Sequence, residues 1–257
     1  MKSILEETKI YVCACQQARL ERLPKKLARL NLPYIIEREL PSPLENPGRG
    51  DVLLDACSRR FRDTCIKDVD KPLLWLEDDI DIPYNFREIW SYYESTLPSD
   101  WQVAVIGWGL IPSFAKTKIR CMSPGWWSLV GCPPRFCGTQ AVLINRGGWR
   151  LKLEGQRFRC DIHLHEMLKE IGITGIYNTD RILIGTNDVQ TTFGAPIIQH
   201  KKLIVPRYHM YLPNTNKPTP KTVPITDKDF VGDIIPITTF TYIPPLITQW
   251  MKKLMKK

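Results

Sequence analysis

The chain has 257 residues, 43% of them hydrophobic and 25% charged, the balance of a globular protein with a sizeable core in one large domain or two small ones. No stretch approaches the roughly 20 apolar residues that cross a bilayer. The opening MKSILEETKIYVCAC breaks a signal peptide's order at Glu6 and Glu7, so a cytoplasmic location is expected. The net charge of +9 points to an anionic partner, whether sugar nucleotide, nucleic acid or anionic membrane surface, with solubility as the plain alternative.

Residues 9–15, KIYVCAC, read as a short buried strand. In residues 18–32, Leu20, Leu23, Leu27 and Leu30 fall at the spacing of an amphipathic helix, which Pro24 either kinks or starts. PYIIEREL (33–40) follows as a strand and PSPLENPGRG as a loop. Residues 51–68 return to helical spacing through Val52, Leu53, Ala56, Cys57, Phe61 and Cys65, with Asp51 as the expected N-cap. The strand PLLWLEDD, a helix over YNFREIWSYYESTLP and a strand at 101–109 come next. This alternation predicts an α/β fold around a largely parallel sheet.

Residues 110–138, rich in Pro, Gly and Trp, predict loops or antiparallel hairpins. GTQAVLINRGGWRLKLEG reads as a strand and short helix, CDIHLHEMLKEIG as a helix starting near Asp161, and ITGIYNTDRILIG as extended. Two units are expected: a catalytic domain over 1–215, and a Pro/Thr-rich tail over 216–257 that wraps it. The tail ends in PPLITQWMKKLMKK, where Ile247, Trp250, Met251, Leu254 and Met255 share one helical face among lysines. Such a basic amphipathic helix either docks on its own domain or lies on an anionic membrane.

The eight cysteines contain no CxxC pair and are expected to be reduced and mostly buried. A zinc site from Cys132, Cys137, Cys160 and His163 matches no standard ligand spacing.

The segment KPLLWLEDDID concentrates the chemistry. An apolar run, Leu73 to Leu76, ends in Glu77, Asp78, Asp79 and Asp81. Ligands of parallel α/β sheets bind outside the carboxyl ends of strands. Packed carboxylates there are costly without a cation, and oxygen-only ligands favour Mg²⁺ or Mn²⁺, which can clamp a diphosphate. The alternative is a solvated acidic loop opening a helix, a role that suits Asp81.

LLWLEDDI resembles the metal-binding segment of glycosyltransferase family 25, in which an apolar strand ends in Glu-Asp-Asp, a version of the Asp-x-Asp motif of GT-A transferases. Further segments follow in family order. YVCACQQARLERLPKKLARLNLPY is similar to the opening strand and Arg-rich donor turn, and GRGDVLLDACSRRFRDTC to the helix before the metal strand, with Ser58 and Arg59 where the family has Ser-His. LPSDWQVAVIGW, FCGTQAVLINRGGWRLKL (a Gly-Thr-x-Ala strand and helix), CDIHLHEML and RILIGTNDVQTT complete the set, the last with Asn187, Asp188 and Val189 at a Ser-Asp-Ile-like step. The resemblance spans roughly residues 9 to 190.

It implies a GT-A, Rossmann-like, mixed but mostly parallel sheet flanked by helices, and a metal-dependent, inverting transfer of a hexose from a UDP-sugar. By resemblance Asp79 is the principal Mn²⁺ or Mg²⁺ ligand, and Asp78 binds the metal or the donor ribose, while Glu77 supports the strand end. His200 is the expected later metal ligand, with His209 second; a structural histidine is the alternative. Asp161 is the expected catalytic base, or else a plain N-cap. His163 and His165 stand near it as candidates to line the acceptor site. Arg19 and Arg22 are expected to bind the donor, and Gly138 and Thr139 to neighbour it.

The acceptor expected is a glycan or glycolipid such as lipooligosaccharide. A hydroxymethylated DNA base is the alternative, suggested by SRRFR, GQRFR and HKKLIVPRYHMY. A nucleic-acid-binding protein without catalysis is the reading from another class. Clustered carboxylates that repel phosphate count against it. A glycosidase also needs two carboxylates, but on separate elements across the bond.

Overall fold

The computed structural model describes residues 2–14, 17–38, 50–82, 84, 86–109, 118–130, 137–156, 160–178, 184–185, 210–211, 222–223 and 234–236. In chain order these form α1 (Ile4–Glu7), β1 (Lys9–Ala14), α2 (Gln17–Leu20), α3 (Leu23–Leu27) with a 3₁₀ turn (Ala28–Leu30), β2 (Tyr34–Arg38), α4 (Gly50–Cys65), β3 (Leu73–Glu77) and β4 (Ile80–Asp81). Then follow α5 (Phe86–Ser95), β5 (Val103–Gly109), β6 (Lys118–Ser123), β7 (Trp126–Val130), β8 (Cys137–Ile144), a 3₁₀ helix (Gly148–Leu153), α6 (Cys160–Glu170) and β9 (Gly175–Asn178). Short strands β10 (Ile184–Gly185), β11 (Met210–Tyr211), β12 (Thr222–Val223) and β13 (Ile234–Pro236) complete the described chain.

Nine strands make one sheet in the order β13-β6-β7-β9-β5-β8-β3-β1-β2. The α/β architecture, a mixed sheet with helices on both faces, agrees with the Rossmann-like arrangement expected. The proportion of parallel pairing does not. Three pairings are parallel (β1 with β2, β1 with β3, β5 with β9) and five antiparallel. The reason is local. β8 runs against β3 on one side and β5 on the other, splitting an otherwise parallel set, and the β6–β7 hairpin adds two more antiparallel seams. The hairpin lies in the Pro/Gly/Trp-rich stretch where one was expected.

The leucines at 20, 23, 27 and 30 are buried as the helical spacing requires. The helix is nevertheless broken, because Pro24 begins a new one with Arg22 as N-cap. Asp51, expected as an N-cap, is the second residue of α4, which begins at Gly50. Among the described residues Cys13, Cys57, Cys65 and Cys121 stand outside any disulfide, and no helix is long and apolar enough to cross a membrane. The expected C-terminal helix and most of residues 216–257 lie outside the described residues; within that range β13 pairs with β6 at the sheet's edge.

Strand alternation divides the core into two layers. Leu73, Trp75, Val142 and Ile144 face Phe61 and Cys65 of α4 and Leu164, Met167 and Leu168 of α6. Leu74, Leu76, Ala141 and Leu143 face Leu23 and Leu27 of α3 and Phe86 and Trp90 of α5. At the opposite edge from the strand tips discussed below, Arg150 is fully buried and its Nη2 donates to the carbonyls of Asp68 (2.5 Å) and Lys71 (2.8 Å), fixing the entry into β3. Phe61 meets the ring of Trp75 edge-on at 5.2 Å, clamping α4 to β3. Phe61→Ala is expected to cost about 3–5 kcal/mol of unfolding free energy, read as a lower urea midpoint with little change in slope.

Candidate active site

β1, β2, β3, β5 and β9 run the same way, so their carboxyl ends share one edge of the sheet. The reversed strand β8 brings its amino end there instead. Leu73 to Leu76 are at most 1% exposed, and the chain leaves the sheet at Glu77 into a turn over Asp78 and Asp79. The turn is not solvated. Asp78 is 5% exposed, and the Asp79 side chain 18%.

The charge that makes this tolerable comes from the neighbouring strand. β1 ends beside β3, with Cys13 opposite Glu77, and α2 follows it. From α2, Arg19, 9% exposed, donates through Nη1 to Asp78 Oδ1 at 2.7 Å, and the same nitrogen lies 3.9 Å from Asp79 Oδ2. One guanidinium thus serves two adjacent carboxylates, and serves them unequally. Burial pushes Asp79 up to about 6; Arg19 draws it down, Asp78 pushes it further up, and Lys26 draws it down. Asp79 Oδ1 is buried and accepts no hydrogen bond.

The expected site residues divide accordingly. Arg19, Asp78 and Asp79 are brought together. Gly138 and Thr139 lie at the start of β8 on the same edge. Arg22 is exposed at the head of α3 and forms no ion pair with the carboxylates. Asp161 and His163 are the second and fourth residues of α6, so Asp161 lies inside the helix rather than at its N-cap. His165 lies on the next turn, where burial and then Lys169 lower its pKa against Glu166; its Nδ1 is buried without a partner. His200, His209, Asn187, Asp188 and Val189 lie outside the described residues. Just before those last three, β10 pairs antiparallel with β4, Gly185 opposite Ile80, next to the acidic turn. Ser58 is buried in α4, and Arg59 beside it is exposed. Cys132 lies outside the described residues, among which no group of three or more His, Cys, Asp or Glu is poised to hold a metal.

Two residues escaped the sequence reading. Lys26 sits one helical turn beyond Arg22 and its charge reaches Asp79. Gln140 is on β8 next to Ala141, which pairs with Leu76, and its Oε1 is buried without a partner. The x of the Gly-Thr-x-Ala segment carried no marker for Gln140. Lys26 was hidden in the charged face of a helix.

No protein family model matches the chain, and no curated protein does. The resemblance to glycosyltransferase family 25 gains no support from these comparisons. Among solved structures, the chain is similar to A197 from STIV, at 16% identity and TM-score 0.33, over 76% of this chain and 99% of that one. It is also similar to a glycosyltransferase involved in glycosylation of the major capsid of PBCV-1, at 10% identity and TM-score 0.40, over 70% and 94%. A third similarity is to the inositol-1-phosphate CTP transferase from T. maritima, at 10% and TM-score 0.34, over 67% and 66%. These are likenesses of fold and carry nothing finer.

A carboxyl group whose pKa is higher folded than unfolded costs stability once ionised. Its penalty grows as pH rises from 3.8, the ordinary aspartate value, towards 6 and is constant above. Without added metal, Asp79→Asn is therefore expected to raise stability by about 1–3 kcal/mol at pH 7.5, and by close to nothing at pH 4. Arg19→Met is expected to cost about 3–5 kcal/mol at pH 7.5, because it strands Asp78 as a buried unpaired charge. Urea denaturation of the three proteins at both pH values checks both outcomes.

Proposed function

We propose that the chain is a metal-dependent, inverting glycosyltransferase that moves a hexose from a UDP-sugar to a hydroxyl of a glycan or lipooligosaccharide. The observation that supports this is Asp79: a buried carboxylate oxygen with no partner, at the strand-end edge of an α/β sheet, held beside a second carboxylate that Arg19 already satisfies. Structure alone gains nothing from leaving it so, since an unmet buried acceptor costs about 1–3 kcal/mol. A ligand that completes it explains the arrangement.

The residues fit Mn²⁺ or Mg²⁺, because such an ion binds through one or two carboxylates plus substrate phosphates and needs no all-protein cage. Asp79 would hold it, with Asp78 beside it and His200 as the later ligand proposed from the resemblance. When bound, the ion supplies Lewis-acid stabilisation of the departing diphosphate.

The chain's own groups supply the rest. Arg19 fixes Asp78 in one orientation and keeps the pair from carrying an uncompensated double charge. Arg22 and Lys26 extend a basic face along α3 suited to the donor's phosphates. Gly138 and Thr139 border the donor from β8. In the transfer, the acceptor oxygen attacks the sugar's C1 as the bond from C1 to the diphosphate oxygen breaks; the electron pair leaves with UDP. The acceptor's proton goes to the carboxylate of Asp161, whose helix begins at this edge.

A second acceptor reading, a hydroxymethylated base in DNA, is favoured by the net charge of +9. DNA affinity that falls steeply between 50 and 200 mM salt supports it, and salt-insensitive or absent binding removes it.

The test of the donor site is thermal stabilisation by UDP and UDP-hexoses, with and without Mn²⁺, in wild type and Asp79→Asn. At 100-fold excess over Kd a rise of about 5–10 °C is expected in the wild type with Mn²⁺, and little in the variant or without the metal. If no nucleotide shifts the wild type, the transferase reading fails.

A further inference from the structure

Helix α4 lies on the sheet in a position that two separate contacts fix. Its sheet-facing side carries Cys57, Phe61 and Cys65, each one turn from the next. The facing side of β1 carries Tyr11 and Cys13, and Tyr11 pairs with Trp75 of β3. Phe61 meets the Trp75 ring at 5.2 Å. From Phe61 back to Cys57 is about 6 Å along the helix, and from Tyr11 to Cys13 about 6.6 Å along the strand. Cys57 therefore arrives over Cys13.

The second contact is polar. Glu37 of β2 pairs in register with Cys13, and Arg60, three residues beyond Cys57, reaches Glu37 Oε2 with Nη1 at 3.3 Å. Between an aromatic clamp on one side and an ion pair on the other, the Sγ atoms of Cys13 and Cys57 stand 3.9 Å apart. Neither is in a disulfide. A disulfide bond measures about 2.05 Å, so closing it asks for a movement of about 2 Å, shared between two side chains.

Burial separates the roles of the two thiols. Cys13 is 2% exposed, whereas Cys57 is half-buried and is the most exposed of the four cysteines whose side chains are described. A small oxidant from solvent meets Cys57 first and finds Cys13 waiting beneath it. Two small apolar side chains in contact would serve packing equally well. Packing alone, however, does not need a second sulfur within reach of the exposed one.

We infer that, independently of any transferase activity, Cys13 and Cys57 form a reversible disulfide in response to a hydroperoxide. Cys57 Sγ, as the thiolate, attacks one oxygen of hydrogen peroxide. The S–O bond forms, the O–O bond breaks, and the other oxygen leaves as hydroxide, which takes the proton the thiol gave up. Cys13 Sγ then attacks Cys57 Sγ; the S–S bond forms, the S–O bond breaks, and a second water departs. Two thiols lose two hydrogens and two electrons, and one peroxide becomes two waters. Cys13 is the last residue but one of β1, so the bond fastens α4 to the strand end from which α2 and Arg19 rise.

The test treats wild type, Cys15→Ser, Cys57→Ser and Cys13→Ala with hydrogen peroxide near stoichiometry, alkylates the remaining thiols, and maps tryptic peptides by mass spectrometry. Cys15 is included because it shares the tryptic peptide 10–19 with Cys13. Peptide 10–19 joined to peptide 50–59 is expected in the wild type and in Cys15→Ser, and is expected to vanish on adding dithiothreitol. Cys57→Ser should give no such link, and Cys13→Ala should let Cys57 run on to sulfinic acid. Because the bond closes a separation of 44 positions, oxidation should raise the melting midpoint of wild type and Cys15→Ser by about 5–10 °C and leave Cys57→Ser unmoved. Cys57→Ser alters a half-buried position, so it keeps the comparison intact if Cys13→Ala fails to fold. A link that disappears in Cys15→Ser overturns the assignment. So does a wild type in which Cys57 is recovered as sulfinic acid or joined to any other cysteine.

Discussion

The site depends on one guanidinium placed between two carboxylates that cannot escape into water. Asp78 and Asp79 are neighbours in sequence, at the end of a strand whose preceding residues are buried on both faces. Charges so placed repel one another and lose hydration together. Arg19 offsets this, and does so unevenly: a direct bond at 2.7 Å to Asp78, a longer approach of 3.9 Å to Asp79. The residual imbalance falls on Asp79, which is where the fold leaves capacity for something else to bind.

The surrounding architecture serves that placement. Parallel pairing of β1 with β3 brings the end of one strand, and hence α2 and Arg19, beside the acidic turn of the other. Arg150 and the contact of Phe61 with Trp75 hold β3 from its far end and its face, away from the chemistry. β8 contributes differently. Because it runs backwards between β3 and β5, it offers its first residues to an edge otherwise built from last residues. Gln140 reaches the site for that reason alone.

The sequence shows much of this and hides the rest for physical reasons. A run such as Leu73 to Leu76 followed by acids announces a buried strand and its end, and the leucine spacing of residues 20 to 30 announces a helical face. Hydrophobic periodicity does not encode direction, so the reversal of β8 and the surplus of antiparallel seams were invisible. Arg19 stood out in the sequence as an expected donor ligand, but its burial against Asp78 did not, because an arginine on a short helix after a strand is ordinarily solvated. Asp51, expected at a helix N-cap, lies one residue inside its helix because composition marks a helix end only to within a residue. Gln140 and Lys26 had no pattern to mark them.

The ladder of Ile80 and Asp81 with Gly185 and Ile184 carries a consequence for how the molecule is made. Its halves are separated by more than a hundred residues, so a nascent chain has delivered β1, β3 and the acidic turn long before the partner of β4 emerges from the ribosome. The carboxylates of the acidic turn must wait, with one side of their turn unbraced, while β5 to β9 are synthesised. Completion of this edge is thereby deferred until residues 184 and 185 have been synthesised.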